Sequence, residues 1–260
     1  MEPAKRAISA IYDIFDTWAS RFTPVCGPGC AHCCTSDVYL TEVEARIIID
    51  YIEKQDRRQW LVELLSHPLP PVSLHLTTNE FAAACLAGRD IDPGGGRFDS
   101  PCRLLDNDLC PLYEVRPFGC RCLMSTIVHD ATQPAAAPSG YYAAATATQQ
   151  IIEHLSRPGR WGELSRMLLA EAGRRSDPLF AALGSHQSYE AARTHGRKCR
   201  PVPGFLLDEQ EYAVVQPLLT TIMAATVEGA HHREHDQPRS GRLIRLHHHH
   251  IIQSHGIQRH

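Results

Sequence analysis

The chain has 260 residues, an apolar fraction of 43% and a formal net charge of −3. That length buries a sizeable core, and the near-neutral balance excludes any electrostatic demand for nucleic acid or an anionic membrane as partner. No stretch approaches the roughly 18 uninterrupted apolar residues of a spanning helix, and the charged Met1–Arg6 segment with Asp13 and Asp16 behind it has no export-signal core, so a cytoplasmic, reducing home is expected.

In chain order, Ile8, Ile11, Tyr12, Phe15, Trp18 and Phe22 recur at helical intervals. They predict an amphipathic helix with an aromatic core face, ended by Pro24. Thr41-Glu-Val-Glu44 is a capping box that opens a helix carrying Val43, Ile47, Ile48 and Tyr51 inward. A shorter helix is expected over Trp60–Leu65, before Pro68, Pro70 and Pro71 break the pattern. Thr77–Gly88 reads as another helix, capped by Thr78 or Asn79 and stopped by Gly88, with Cys85 on it as a small buried hydrophobe.

Asp92-Pro-Gly-Gly-Gly96 is a loop; with no preceding strand and no Lys-Ser/Thr after it, it is not a phosphate cradle. Asp106-Asn-Asp108 is turn-forming and would join Arg103–Leu105 to Leu109–Leu112 as a short hairpin. Tyr113–Arg116 is a single helical turn closed by Pro117. Beyond an Ala/Pro-rich loop, helices are expected over Tyr141–Leu155, Trp161–Ala172 and Asp208–Val227, the last kinked or split at Pro217. Ser176–Pro203 is weakly patterned. Within it Cys199 reads as a surface thiol, its pKa lowered by Lys198 and Arg200. From His231 onward His, Arg and Gln predominate, and a disordered tail is expected, its His247–His250 run able to take up metal adventitiously.

Eight of the ten cysteines fall in two tight groups: Cys26, Cys30, Cys33 and Cys34, then Cys102, Cys110, Cys120 and Cys122. In a reducing compartment such grouping points to metal rather than disulfides. Two intervening residues, as in Cys30-Ala-His-Cys33, make a metal knuckle, and three, as between Cys26 and Cys30, also allow the backbone to turn around an ion. Gly27 and Gly29 let the backbone turn its N–H groups toward a sulfur. Adjacent Cys33 and Cys34 point to opposite faces in extended chain. They serve two metals, or one is a spectator, or they hold a cluster of several irons. Eight thiols fit two four-thiolate sites or one iron–sulfur cluster with four to spare. His32 lies inside the first knuckle, where it could replace a thiol, and His129 follows the second group; both read rather as solvent-exposed. Arg103, Arg116 and Arg121 lie among the thiols, where guanidinium charge would offset that of metal-bound thiolates.

Cys-x3-Cys-x2-Cys-Cys followed by Pro-Cys-x7-Cys-Pro-Leu-Tyr-Glu-Val-Arg-Pro-x2-Cys-Arg resembles the YkgJ-type cysteine-cluster family of zinc- or iron-chelating domains, over about residues 22–128. Tyr113 to Arg121 is its most specific part. The resemblance implies a small, mostly helical, cysteine-rich domain found largely in bacteria, with Cys26, Cys30, Cys33, Cys34, Cys102, Cys110 and Cys120 as ligands. Two departures stand out: the first gap is three residues rather than two, and Cys122 has no counterpart. A related cluster occurs in flagellin lysine-N-methylases. No Gly-x-Gly turn after a strand supports a methyl-donor site here.

The expected protein is therefore mainly α, a small cysteine-rich metal-binding domain with irregular loops packed on amphipathic helices. Its divisions are residues 1–130, a helical extension over 131–230 packed on that domain, and the tail from 231. All eight clustered cysteines are candidate ligands, and zinc or iron is the expected cofactor, an iron–sulfur cluster included. The metal ion is the only partner the sequence identifies; no nucleic acid or membrane is expected. Structural or metal-handling roles lead, with iron–sulfur redox or enzymatic chemistry as the alternative and, behind both, the lysine-N-methylase-like activity that the resemblance raises.

Overall fold

The computed structural model describes residues 2–27, 29–69, 76–92, 100–128, 135–184 and 187–231. The glycine triplet, His129 and the tail beyond residue 231 lie outside them. Helix α1 spans Glu2–Ala19, strand β1 Tyr39–Thr41, α2 Glu42–Lys54, α3 Arg58–Ser66 and α4 Thr78–Leu86. A 3-10 turn at Tyr113–Val115 and the short α5, Phe118–Arg121, lead to α6 at Tyr141–Leu155. Strand β2 (Arg160–Glu163), α7 (Leu164–Ala172), α8 (Pro178–Gly184), α9 (Gln187–Thr194), β3 (Arg197–Lys198) and α10 (Glu209–His231) complete a mainly α fold.

Helix α2 is central because its apolar residues face two ways. Ala45, Ile48, Ile49 and Ile52 join Leu40, Leu61, Leu65, Leu168, Leu169 and Phe180 in one core. Val43 joins Ile8, Ile11, Tyr12 and Phe15 of α1 in a second, with Phe118, residues of α6, and Val215, Leu218 and Ile222 of α10. Full burial of each such side chain contributes roughly 1.5–3 kcal/mol before ordering costs are set against it. The capping box is made as expected: the Glu44 N–H donates to Thr41 Oγ1, and the Glu44 carboxylate accepts from the Thr41 N–H. Ile47 and Tyr51 are only half-buried, and Ile49 and Ile52 take the deeper places.

Several expectations need correction. Helix α1 ends at Ala19, well before Pro24. Thr77, not Thr78 or Asn79, caps α4, through a second capping box with Glu80. Trp161–Glu163 is strand rather than helix. It pairs antiparallel with β1, Leu40 opposite Gly162, and Trp161 stacks on Tyr39 at 4.6 Å. The helix begins only after Glu163, whose carboxylate caps the Ser165 and Arg166 amides. Asp106 and Leu109 form one bridge closed by left-handed Asn107 and Asp108, a tight turn rather than a hairpin. Ser176–Pro203, weakly patterned in sequence, holds α8, α9 and β3. Helix α10 is not split at Pro217. Cys85 is half-buried rather than buried.

Cys199 is also corrected. It is buried, at 6% exposure, and its amide donates to the Gly159 carbonyl. Burial pushes its thiol up, reinforced by the Glu153 carboxylate, the reverse of the shift expected from Lys198 and Arg200.

Among the described residues no helix is long and apolar enough to cross a membrane. Ile48→Ala should lower the unfolding free energy by about 2–5 kcal/mol in denaturant titrations, as cavity creation at a fully buried site does; a loss under about 1 kcal/mol would remove α2 from the centre of the fold.

Candidate metal centre

The two cysteine groups meet along a short antiparallel contact. The Cys102 amide donates to the Cys34 carbonyl at 2.8 Å, and the Ser36 amide to the Ser100 carbonyl at 2.9 Å. Thr35 and Pro101 form the bridge between those two bonds. The first group is folded by local turns. The Cys30 amide donates to the Gly27 carbonyl, and the Cys34 amide to the Ala31 carbonyl. Gly29, with φ of +85°, takes a left-handed conformation that a glycine adopts without cost.

Cys26 lies apart from this contact. Its amide neighbour, Val25, donates to the Ser125 carbonyl at 2.9 Å, and the Ser125 amide donates to Cys26 Sγ at 3.3 Å. An N–H directed at sulfur is therefore present, but it comes from buried Ser125 rather than from the glycine loop. Nothing in the sequence marks Ser125 for this. Cys30, like the other clustered cysteines, is half-buried.

Helix α5 carries Cys120 and leads into Cys122. It approaches β1 closely: a Cβ at Gly119 would lie 3.2 Å from the Tyr39 carbonyl oxygen. Its N-terminal amide, Phe118 N–H, donates to Glu44 Oε1 at 2.8 Å. Cys102, Cys110 and Cys120 pack against the first core, and Cys122 against the second. The second group thus touches both cores.

Electrostatics ties these thiols together. The side-chain hydrogen bond with Cys33, then burial, then the fields of Cys33, Cys120 and Cys102 push the Cys34 thiol up. Burial leads for Cys102, with Cys110 adding to it, and for Cys110 itself. Burial followed by Cys102, Cys110 and Cys122 raises Cys120 well above the ordinary value. Cys122 is pushed up to about 12 by burial, with Glu44 and Cys33 contributing. Cys34 therefore feels thiols of the second group, and Cys122 feels Cys33 of the first. Burial and crowding both oppose the thiolate form, and a cation among the sulfurs would favour it.

Main-chain hydrogen bonds from Leu104 and Leu105 oppose the shift at Cys102, one from Leu112 opposes it at Cys110, and the field of Arg116 adds to this at Cys110, Cys120 and Cys122. Arg116 lies 3.9 Å over the Tyr113 ring and donates to the Tyr113 carbonyl. Arg103 donates to the Leu64 and Pro68 carbonyls. Arg121 is bonded to Asp16 and donates to the Glu114 carbonyl at 3.0 Å. His32 is exposed, as the sequence suggests.

Thiolate sulfur is a soft donor that suits zinc and iron, so the donor set fits these metals chemically. As the side chains stand, no three His, Cys, Asp or Glu residues among the described ones converge to hold an ion. Coordination would require the thiols to turn toward a common point.

These features define a class: a mainly helical protein with a thiol-rich centre assembled from two segments of chain. Residues 25–139 match the family model CxxCxxCC, described as “Putative zinc- or iron-chelating domain”. The match supports metal binding as the general function. All eight clustered cysteines fall within it, whereas α1 and everything from α6 onward lie outside. No curated protein and no solved structure matches the chain.

The raised thiols have a consequence for stability. Above the ordinary thiol value of 9.0 the unfolded chain releases protons that the folded, metal-free chain still holds. The unfolded state then binds fewer protons, and stability falls as pH rises. Thermal unfolding of metal-free, reduced protein should show Tm dropping between pH 9 and the value of about 12 reached by Cys122. A Tm that holds or rises over that window would contradict the burial of these sulfurs.

Proposed function

We propose that the chain chelates zinc or iron with thiolates of both cysteine groups, drawn from Cys26, Cys30, Cys33, Cys34, Cys102, Cys110, Cys120 and Cys122. The supporting observation is the 2.8 Å bond between the Cys102 amide and the Cys34 carbonyl. It keeps the two groups side by side, with Cys34 under the influence of Cys102 and Cys120, and Cys122 under that of Cys33. Such an ion would close a long loop of chain and contribute directly to folding. An ion saturated by four thiolates leaves no position for a substrate, so the role is structural or one of metal handling rather than hydrolytic. None of the ten cysteines is in a disulfide, which agrees with a reducing, cytoplasmic home. Residues 1–130 would be the metal-binding unit, with 131–230 packed on it.

One observation favours a second reading. Eight clustered thiols exceed what a single tetrahedral ion takes, and the adjacent Cys33 and Cys34 side chains hydrogen-bond to each other. An iron–sulfur cluster in a redox protein or enzyme would use such a surplus.

Elemental analysis of anaerobically prepared protein, with an ultraviolet–visible spectrum, tests both. The chelation reading predicts stoichiometric zinc or iron that is lost when Cys34 and Cys102 are both replaced by serine. A brown protein with charge-transfer absorption would select the cluster, and zinc as the only metal would exclude it. Metal-free protein that stays folded and takes up neither metal would overturn both readings.

A further inference from the structure

We propose that Glu44 is a positioning residue for the Cys120-Arg121-Cys122 turn, and that α1 completes the clamp through Tyr12 and Asp16. Its bearing on metal rests on the chelation reading above. Glu44 is 1% exposed, yet its carboxylate meets four donors. Oε2 accepts from the Thr41 amide at 2.8 Å and the Thr41 hydroxyl at 3.0 Å. A capping box needs no more than this oxygen. Oε1 is directed instead at distant parts of the chain: it accepts from the Tyr12 hydroxyl at 2.7 Å and the Phe118 amide at 2.8 Å.

The Phe118 amide opens α5 and has no partner inside that helix, because the first N–H groups of a helix never do. Pro117, the N-cap, supplies no side-chain bond. Glu44 is thus what ties the start of the cysteine-bearing turn to α2. Helix α1 approaches from the other side. Arg121, between the two cysteines, is bonded to Asp16 and lies 4.5 Å over the Tyr12 ring. Tyr12 therefore serves both halves of the clamp, with its hydroxyl on Glu44 and its ring under Arg121. The Tyr12 and Phe118 rings also pack, at 6.3 Å. Because α1 lies outside residues 25–139, a segment beyond the family domain helps to hold two of that domain's thiols in place.

The neighbouring segments do not share this arrangement. Cys102 is held by the hydrogen bond its amide donates to the Cys34 carbonyl, and Cys26 by the one its sulfur accepts from the Ser125 amide. Loss of the clamp should consequently loosen Cys120 and Cys122 while sparing Cys102. Glu44→Gln tests this, because an amide offers one accepting oxygen where the carboxylate offers two. The Thr41 pair and the Phe118–Tyr12 pair cannot then both be served.

The experiment is alkylation of the full-length, reduced, metal-free chain, read at each cysteine by mass spectrometry, for the parent, Glu44→Gln and Tyr12→Phe. Glu44→Gln should accelerate Cys120 and Cys122 roughly tenfold relative to Cys102 and Cys199, as local opening allows. Tyr12→Phe should shift the same two sites in the same direction by less. Parent-like rates at Cys120 and Cys122, or equal acceleration at all four sites, would overturn the proposal. Should Glu44→Gln fail to fold, Tyr12→Phe decides it.

A cobalt(II) titration followed by thiolate charge-transfer absorption supplies the link to metal. Tyr12→Phe should weaken cobalt binding by about tenfold, as loss of a ligand-orienting partner does, and unchanged affinity would overturn the proposal. A parent protein that binds no cobalt, zinc or iron would instead refute chelation, and the alkylation rates would still judge the clamp.

Discussion

The main-chain bond between Cys102 and Cys34 carries more consequence than its size suggests. A single such bond contributes only about 0.5–1.5 kcal/mol net. Here it is one of two that flank the Thr35–Pro101 bridge, and together they set two distant cysteine segments edge to edge. The same contact brings Cys34 under the influence of Cys102 and Cys120. The apolar residues of helix α2 belong both to the core against which Cys102, Cys110 and Cys120 pack and to the one against which Cys122 packs.

The thiol centre is in tension. Sulfur atoms crowded in a partly desolvated place resist ionisation, and each resists it more because of its neighbours. The protein offsets this only in part, through main-chain hydrogen bonds from Leu104 and Leu105 to Cys102 and from Leu112 to Cys110, and through the field of Arg116. Arg121 is already engaged by Asp16 and Arg103 by main-chain carbonyls. A cation would relieve what these arginines do not, and its binding would release protons, so affinity should rise with pH. The family match over residues 25–139 agrees with that chemistry at the level of metal binding.

Much of this was legible locally. The capping box at Thr41 and Glu44, the aromatic face of α1 and the limits of α6 depend on spacings of three and four residues, which a sequence displays directly. The elements that sequence reading misplaced depend on distant partners. Trp161 continues an apolar pattern into α7, yet it becomes strand because β1 offers it a ladder and Tyr39 a ring to stack on. Cys199 has basic neighbours in sequence, but its environment is set by Gly159 and Glu153 across the fold. At the centre, the cysteine spacing announced metal chemistry. The second oxygen of Glu44 and the amide of Ser125 left no mark, since their partners are remote in the chain.

The central claim is that sulfur from both segments reaches the same ion. X-ray absorption at the metal edge of zinc- or iron-loaded protein, compared between the parent, Cys34→Ser and Cys102→Ser, measures this most directly. The account predicts a sulfur-dominated shell in the parent and the loss of a sulfur in each variant. A shell of nitrogen and oxygen, or one unchanged when either segment loses its thiol, would contradict it.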